Sequence, residues 1–307
     1  MTEKEAVIDI GTNSVRLLIA DVNECEVICR EHWLKSTRLG EGMRSREHKL
    51  QEAPVTRTLQ AVKEFKNLSL HKGAGKIRVL ATSAVREAVN REEFVERAYR
   101  DAGVQVEVLS WQDEAQYSYR GAINALRGDY REAGFVDIGG GSTELVWKKG
   151  EDLCWKSFSV GAVNLAEAFM HCDPPRDRDI HEMGKHLETS LVECSEMGYR
   201  KALVGTGGTV TTIASVKKEL DEYRPQLIHE TIIKLEELKE IFNRLVEIPL
   251  TDRKAIRGMD SKRADIIIPG ALIVIKLMEK ISAGELVVSE GDLMAGALAG
   301  EQQRILI

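Results

Sequence analysis

One stretch of the chain occurs twice. Val7-Ile8-Asp9-Ile10-Gly11-Thr12-Asn13-Ser14-Val15-Arg16-Leu17-Leu18 recurs as Phe135-Val136-Asp137-Ile138-Gly139-Gly140-Gly141-Ser142-Thr143-Glu144-Leu145-Val146, which sets Asp9 and Asp137 128 residues apart. Each copy is an apolar run ending in Asp, a short turn rich in Gly, Ser, Thr or Asn, and a second apolar run. That pattern predicts a β-hairpin with a carboxylate at its bend. A chain of 307 residues that repeats such a hairpin has room for two domains of like construction.

The flanking sequence extends the repeat. A third strand is expected over Glu26–Thr37 and again over Asp152–Val160, each followed by alternating helix and strand. Helices are expected near 52–71, 91–102 and 112–126 in the first half. In the second half they are expected near 162–170, 176–197, 209–218, 234–246 and 262–281. Strands are expected at 77–81, 104–109, 202–205 and 285–289. We place the first domain at 1–124 and the second at 125–292, with a joint near Gly121–Gly128. A closing helix, from Asp292 to Gln303 within the tail 293–307, is expected to pack back on the first domain. Two α/β lobes with mixed sheets normally hold ligands in a cleft between them, at the carboxyl ends of the strands.

Composition narrows the function. A formal net charge of -6 argues against bulk attraction to nucleic acid or an anionic membrane, so a polyanionic ligand must be met by locally gathered Arg and Lys. The five cysteines are odd in number and scattered, as in a reduced cytoplasmic protein. The polar start of the chain leaves no room for an export signal. The longest apolar run, Ile266–Met278, is interrupted by Pro269, Gly270 and Lys276 and is too short to span a bilayer. None of the seven histidines stands at metal-ligand spacing.

The two turns have the composition of phosphate cradles: glycines admit close approach of backbone amides to an oxyanion, and hydroxyls add donors. In the first turn these are Gly11, Thr12, Asn13 and Ser14, and in the second Gly139, Gly140, Gly141, Ser142 and Thr143. Asp9 and Asp137 would flank the phosphates through a cation. Tight β-turns that need Gly for their backbone angles have the same composition. A third glycine-rich turn, Gly205-Thr206-Gly207-Gly208-Thr209, ends a strand and opens a helix, where free amides favour an anion or merely cap the helix. Arg86 follows Ala81-Thr82-Ser83-Ala84-Val85 at a strand end, and Arg16 lies just past the first turn. A guanidinium in either place suits bidentate phosphate contact. Glu114, in Ser110-Trp111-Gln112-Asp113-Glu114-Ala115, is either a general base for a water molecule or, with Asp113, a complement to a helix N-terminus. The basic residues Arg253, Lys254, Arg257, Lys262 and Arg263 form either a guide for a long polyanion or an ordinary wet surface.

The motifs Asp9–Arg16, Ala81–Ala88, Asp137–Glu144 and Gly205–Thr209, continued by Gly258–Asp265 and Ser289–Asp292, resemble those of the Ppx/GppA phosphatase family over nearly the whole chain. The resemblance implies an α/β fold of two actin-like (ribonuclease H-like, ASKHA) domains with a cleft between them. It implies the short form without an appended metal-phosphohydrolase-like domain. The implied activity is that of a magnesium-dependent exopolyphosphatase, which removes terminal phosphate from inorganic polyphosphate and in some members from guanosine pentaphosphate. By motif position Glu114 matches the family's base, Asp137 and Glu144 its acidic residues near Mg2+, and Arg86 and Arg263 its phosphate-proximal arginines. Trp111 and Gln116 stand where the family has a small residue and an Arg, which puts substrate preference in question. An actin-like kinase or ATPase and a non-catalytic sensor of guanosine polyphosphates or polyphosphate are the competing readings. No nucleic acid or membrane partner is expected, and pairing of two copies is left open.

Overall fold

The computed structural model describes residues 2–43, 48–150, 152–300 and 303–307. The chain divides into two compact units: Met1–Ala125 with Gly291–Ile307, and Leu126–Glu290.

Unit 1 opens with the strands β1 (Glu3–Ile10), β2 (Ser14–Val22) and β3 (Glu26–Ser36), then α1 (Glu52–His71), β4 (Lys76–Ala81), α2 (Ser83–Arg86) and α3 (Arg91–Arg97). A π-helical turn, Ala98–Ala102, continues α3; β5 (Val106–Val108) and α4 (Trp111–Ala125) follow. Unit 2 repeats the opening with β6 (Gly134–Ile138), β7 (Thr143–Lys149), β8 (Asp152–Phe158) and α5 (Ala162–Phe169). It continues with α6 (Asp177–Ser190), a 3-10 turn at Val192–Met197, β9 (Ala202–Thr206), α7 (Gly207–Lys217) and α8 (Pro225–Ile228). Then come β10 (Ile232–Lys234), α9 (Leu235–Glu247), α10 (Leu250–Arg253), α11 (Ile267–Ile281) and β11 (Glu285–Val288). The chain returns to unit 1 for α12 (Leu293–Leu298) and β12 (Arg304–Leu306).

Each unit has a six-stranded mixed sheet, in the order β12-β3-β2-β1-β4-β5 and β10-β11-β9-β6-β7-β8. The three strands that open each unit are antiparallel, and the strand after the first helices joins parallel to the first: β4 beside β1, β9 beside β6. Period-two patterning explains the layering of unit 1. Ala6, Ile8 and Ile10 of β1, with Val15, Leu17 and Ile19 of β2, pack under α1 and α3. The alternate residues Val7, Leu18 and Ala20 pack with Leu293, Met294 and Ala295 of α12 on the other face. In unit 2, Val136, Ile138, Leu145 and Trp147 share one core with α7, α9 and α11.

Helix α12 lies against α4 almost backbone to backbone. A Cβ at Gly121 would stand 1.9 Å from the Asp292 carbonyl oxygen, and one at Gly296 would stand 1.9 Å from that of Tyr117. The expected helix over 292–303 is therefore shorter, since Ala299 turns to extended angles (φ -80, ψ 139) and the chain then enters β12. Residues 301 and 302 of that expected helix lie outside the described residues. Helix α11 starts at Ile267, later than the expected 262, because 261–266 form turns. Among the described residues no helix is long and apolar enough to cross a membrane.

Candidate active site

The two hairpin turns close with the same hydrogen bond. The Gly11 amide donates to the Ser14 carbonyl (3.0 Å), and the Gly139 amide to the Ser142 carbonyl (2.9 Å). In each, the turn carbonyls are bonded from behind by the segment that follows the unit's third strand. Gly40 donates to Thr12 (3.0 Å), and Thr37 and Arg38 both donate to Asn13 (3.1 and 2.9 Å). In unit 2, Ala162 donates to Gly139 (3.0 Å), Val163 and Asn164 donate to Gly140 (2.9 and 3.2 Å), and the Asn164 side chain donates to Gly141 (2.7 Å). With the carbonyls engaged, no acceptor meets the amides of Thr12, Asn13, Gly140 or Gly141 among the described residues. The Ser142 hydroxyl is buried and has no partner among the described residues. Such a set of amides is the donor side of an anion nest.

The residues that flank the turns differ in charge. Asp9 pairs with Arg16 across β1 and β2, whereas Asp137 pairs with Glu144 across β6 and β7. One Asp9 oxygen, Oδ2, accepts from Arg16 Nε (2.9 Å) and Nη2 (2.6 Å); the other, Oδ1, is buried without a partner among the described residues. Burial pushes the Asp9 carboxyl above its usual range; the Arg16 charge and hydrogen bonds pull against that shift, and the nearby Asp292 adds to it. Arg16 Nη1 donates to Asp292 Oδ2 (2.6 Å), so this guanidinium is shared between two carboxylates. Asp137 is partly exposed, while Glu144 is buried and accepts from the Ser157 hydroxyl at 2.9 Å.

Glu114 stands in the first turn of α4 and is 7% exposed. Its carboxylate accepts from Arg86 Nη1 at 2.5 Å, and the same nitrogen reaches the Leu109 carbonyl (3.2 Å). The neighbouring Asp113 has a different task. Its amide and carboxylate both bond the Ser110 hydroxyl (3.1 and 2.6 Å), which closes the helix N-terminus. The Asp-Glu pair thus splits, one residue serving the helix and the other turned to a part-buried guanidinium. Thr12 and Ser83 hydroxyls meet at 3.0 Å and tie the first turn to the start of α2.

The third turn joins Asp137 and Arg263. Gly207 has φ +83, and a Cβ there would stand 2.7 Å from Asp137 Oδ1. A Cβ at Gly208 would stand 1.8 Å from the guanidinium carbon of Arg263, so only glycine lets that cation lie on the first turn of α7. Thr209 is buried under Gly270.

The family model described as the Ppx/GppA phosphatase family matches residues 7–304. The chain belongs to the Ppx/GppA phosphatase family. It is 33% identical to "Exopolyphosphatase 2" of Mycobacterium tuberculosis over 96% of this chain and 98% of that protein. Among solved structures, the PPX-GPPA enzyme of Aquifex aeolicus is 34% identical with a TM-score of 0.80, covering 97% of this chain and 99% of that one. An exopolyphosphatase from Cytophaga hutchinsonii is 25% identical with a TM-score of 0.88, covering 96% of each chain. The two mixed sheets with flanking helices are the actin-like, ASKHA-type architecture expected from the motifs.

Within this Ppx/GppA chain the structure unites Asp9 with Arg16, Arg86 with Glu114, Asp137 with Glu144 and Gly207, and Gly208 with Arg263. Asp292 had no assigned role; its only sequence signal is its position before a short apolar helix, as an N-cap. The basic stretch proves heterogeneous. Arg253 is fully buried and donates to the carbonyls of Leu245, Ile248 and Ala264 and to Asp173, while Arg257 is paired with Asp221. Arg253 is therefore an internal strut and belongs to no polyanion-guiding surface.

Proposed function

We propose that this chain is an exopolyphosphatase that hydrolyses the terminal phosphoanhydride of inorganic polyphosphate, with guanosine pentaphosphate as a second substrate. The observation that carries the proposal is the state of the two turns: the carbonyls of Thr12, Asn13, Gly139, Gly140 and Gly141 are engaged from behind, and among the described residues four amides are left without acceptors. Such amides suit phosphate oxygens, as does the Arg263 guanidinium over Gly208.

Glu114 is the proposed base. It takes a proton from a water whose oxygen attacks the terminal phosphorus, the bridging P–O bond breaks, and the shortened chain departs as a phosphate anion. Arg86 holds the Glu114 carboxylate in place through its Nη1. Asp137 and Glu144 fit Mg2+, which favours one or two carboxylates with water and substrate oxygens completing its shell. When bound, Mg2+ would neutralise phosphate charge. We place the work in the cytoplasm, since all five cysteines are free thiols.

The test is orthophosphate release from long-chain polyphosphate and from guanosine pentaphosphate in parallel, with Mg2+ and with chelator. Release from polyphosphate that depends on Mg2+ is expected. No release from either substrate, with ATP consumed only when an acceptor is added, would instead point to a kinase of the same fold.

A further inference from the structure

The third turn has a neighbour with no part in the proposed hydrolysis. Ser289, just past β11, donates its amide to the Gly205 carbonyl (2.8 Å), so Glu290 emerges beside the turn at the carboxyl ends of the parallel strands β9 and β11. The Glu290 amide donates in turn to His229 Nδ1 (3.2 Å). Tyr223 reaches the same place from the loop between α7 and α8, and its hydroxyl donates to both Glu290 oxygens (2.6 and 2.8 Å). That loop is braced. Leu220 donates its amide to the Ser215 carbonyl (3.3 Å), and Asp221 accepts from Arg257 Nε and Nη2 (2.9 and 3.0 Å).

A tyrosine at a protein surface usually buries its ring and leaves its hydroxyl to water. Tyr223 reverses that arrangement. Burial and then the Glu290 charge push its phenol well above the usual range, while hydrogen bonding with Thr211 and the Arg263 charge pull against the shift. The residue is nonetheless 54% exposed, so the ring is held open to solvent by an anchor at its far end. Tyr99 and Tyr199, which are more exposed still, have no such anchor among the described residues. A ring fixed at its tip and braced at its root loses little further freedom when a flat ligand lies on it. Arg263, held by Asp260 at 3.5 Å, lies over Gly208 in the same turn. A cation suited to phosphate and a fixed aromatic face thus stand together, a combination that serves a nucleotide and that a bare polyphosphate does not need.

We infer that the Tyr223 ring is a nucleobase platform, on which the guanine of a guanosine polyphosphate stacks. The inference rests on the proposed use of guanosine pentaphosphate as a second substrate. Tyr223→Leu keeps apolar bulk but removes the aromatic face. The ratio of its KM for guanosine pentaphosphate to its KM for polyphosphate, which carries no base, should rise at least about fivefold over the parent's. Tyr223→Phe keeps the face without the anchor and should fall between the parent and Tyr223→Leu. A ratio that rises less than about fivefold in Tyr223→Leu, or as much in Tyr223→Phe as in Tyr223→Leu, would overturn the inference. Calorimetric titration with guanosine tetraphosphate and with tripolyphosphate separates this outcome from failure of the proposed activity. If the parent does not hydrolyse guanosine pentaphosphate, binding of the tetraphosphate alone that Tyr223→Leu weakens at least about fivefold still supports the platform. Equal losses for both anions, no loss, or no binding of the tetraphosphate by the parent refutes it.

Discussion

Arg16 and Asp292 lie 276 residues apart in sequence and meet at 2.6 Å. Asp292 divides its oxygens: Oδ2 takes Arg16, while Oδ1 caps α12 through the amides of Met294 and Ala295 at 2.9 and 3.3 Å. Replacing it with alanine strands Arg16 beside Asp9 and uncaps the helix. Asp292→Ala should destabilise by about 3 kcal/mol, the low end for breaking a partly buried pair. Asp292→Asn retains an oxygen for the cap and should cost about 1 kcal/mol less. Urea unfolding followed by circular dichroism measures both, and equal stabilities for parent and alanine variant would deny the linkage.

Glu114→Gln keeps the shape of the side chain and an acceptor for Arg86 but removes the basic oxygen. We expect kcat for phosphate release to fall by roughly 10²–10⁴-fold with KM changed by less than about threefold. Turnover within tenfold of the parent would remove Glu114 from the role of base.

Asp9 predicts a pH signature. Its carboxyl is raised above 3.8 in the folded state, so the fold binds that proton more tightly than the unfolded chain does. The stabilisation is fully present below 3.8 and is lost as pH rises through the folded value. Asn cannot titrate. The stability of Asp9→Asn measured relative to the parent should therefore climb as pH increases from the unfolded carboxylate value toward neutrality. A difference that is flat or falls with pH would contradict the burial of this group.

The thiols should separate by reactivity. Cys25 is exposed, whereas burial pushes the Cys29 and Cys194 thiols up to about 12. Because the thiolate is the reactive form, iodoacetamide at pH 8 should label Cys25 well before Cys29 or Cys194. Peptide mass spectrometry over a time course reads the order.

The hairpins could be read from the sequence because their information is local: alternating apolar residues, an acid and a glycine-bearing turn recur at a fixed offset, and the structure repeats even the closing hydrogen bond. Helix α1 has the ends expected of it for a similar reason, since its buried residues follow a helical period between polar flanks. The three-residue strands β10 and β12 exist only through their neighbours β11 and β3, so no local signal marks them. Burial of charge was equally hidden. Arg253 looks like its basic neighbours in sequence, and only the carbonyls converging on it reveal an internal residue. The pairing of Asp292 with Arg16 joins the two ends of the chain, beyond the reach of any pattern of spacing.

Strand β12 hydrogen-bonds parallel to β3, and α12 fills the face of unit 1 beneath α4. Unit 2 is one uninterrupted segment, whereas unit 1 is missing an edge strand and a helix until residues 293–306 have been made. On the ribosome, then, the second half of the polypeptide can complete its folding first. The first half must wait with an open sheet edge, a template for misassociation that closes only when β12 is made.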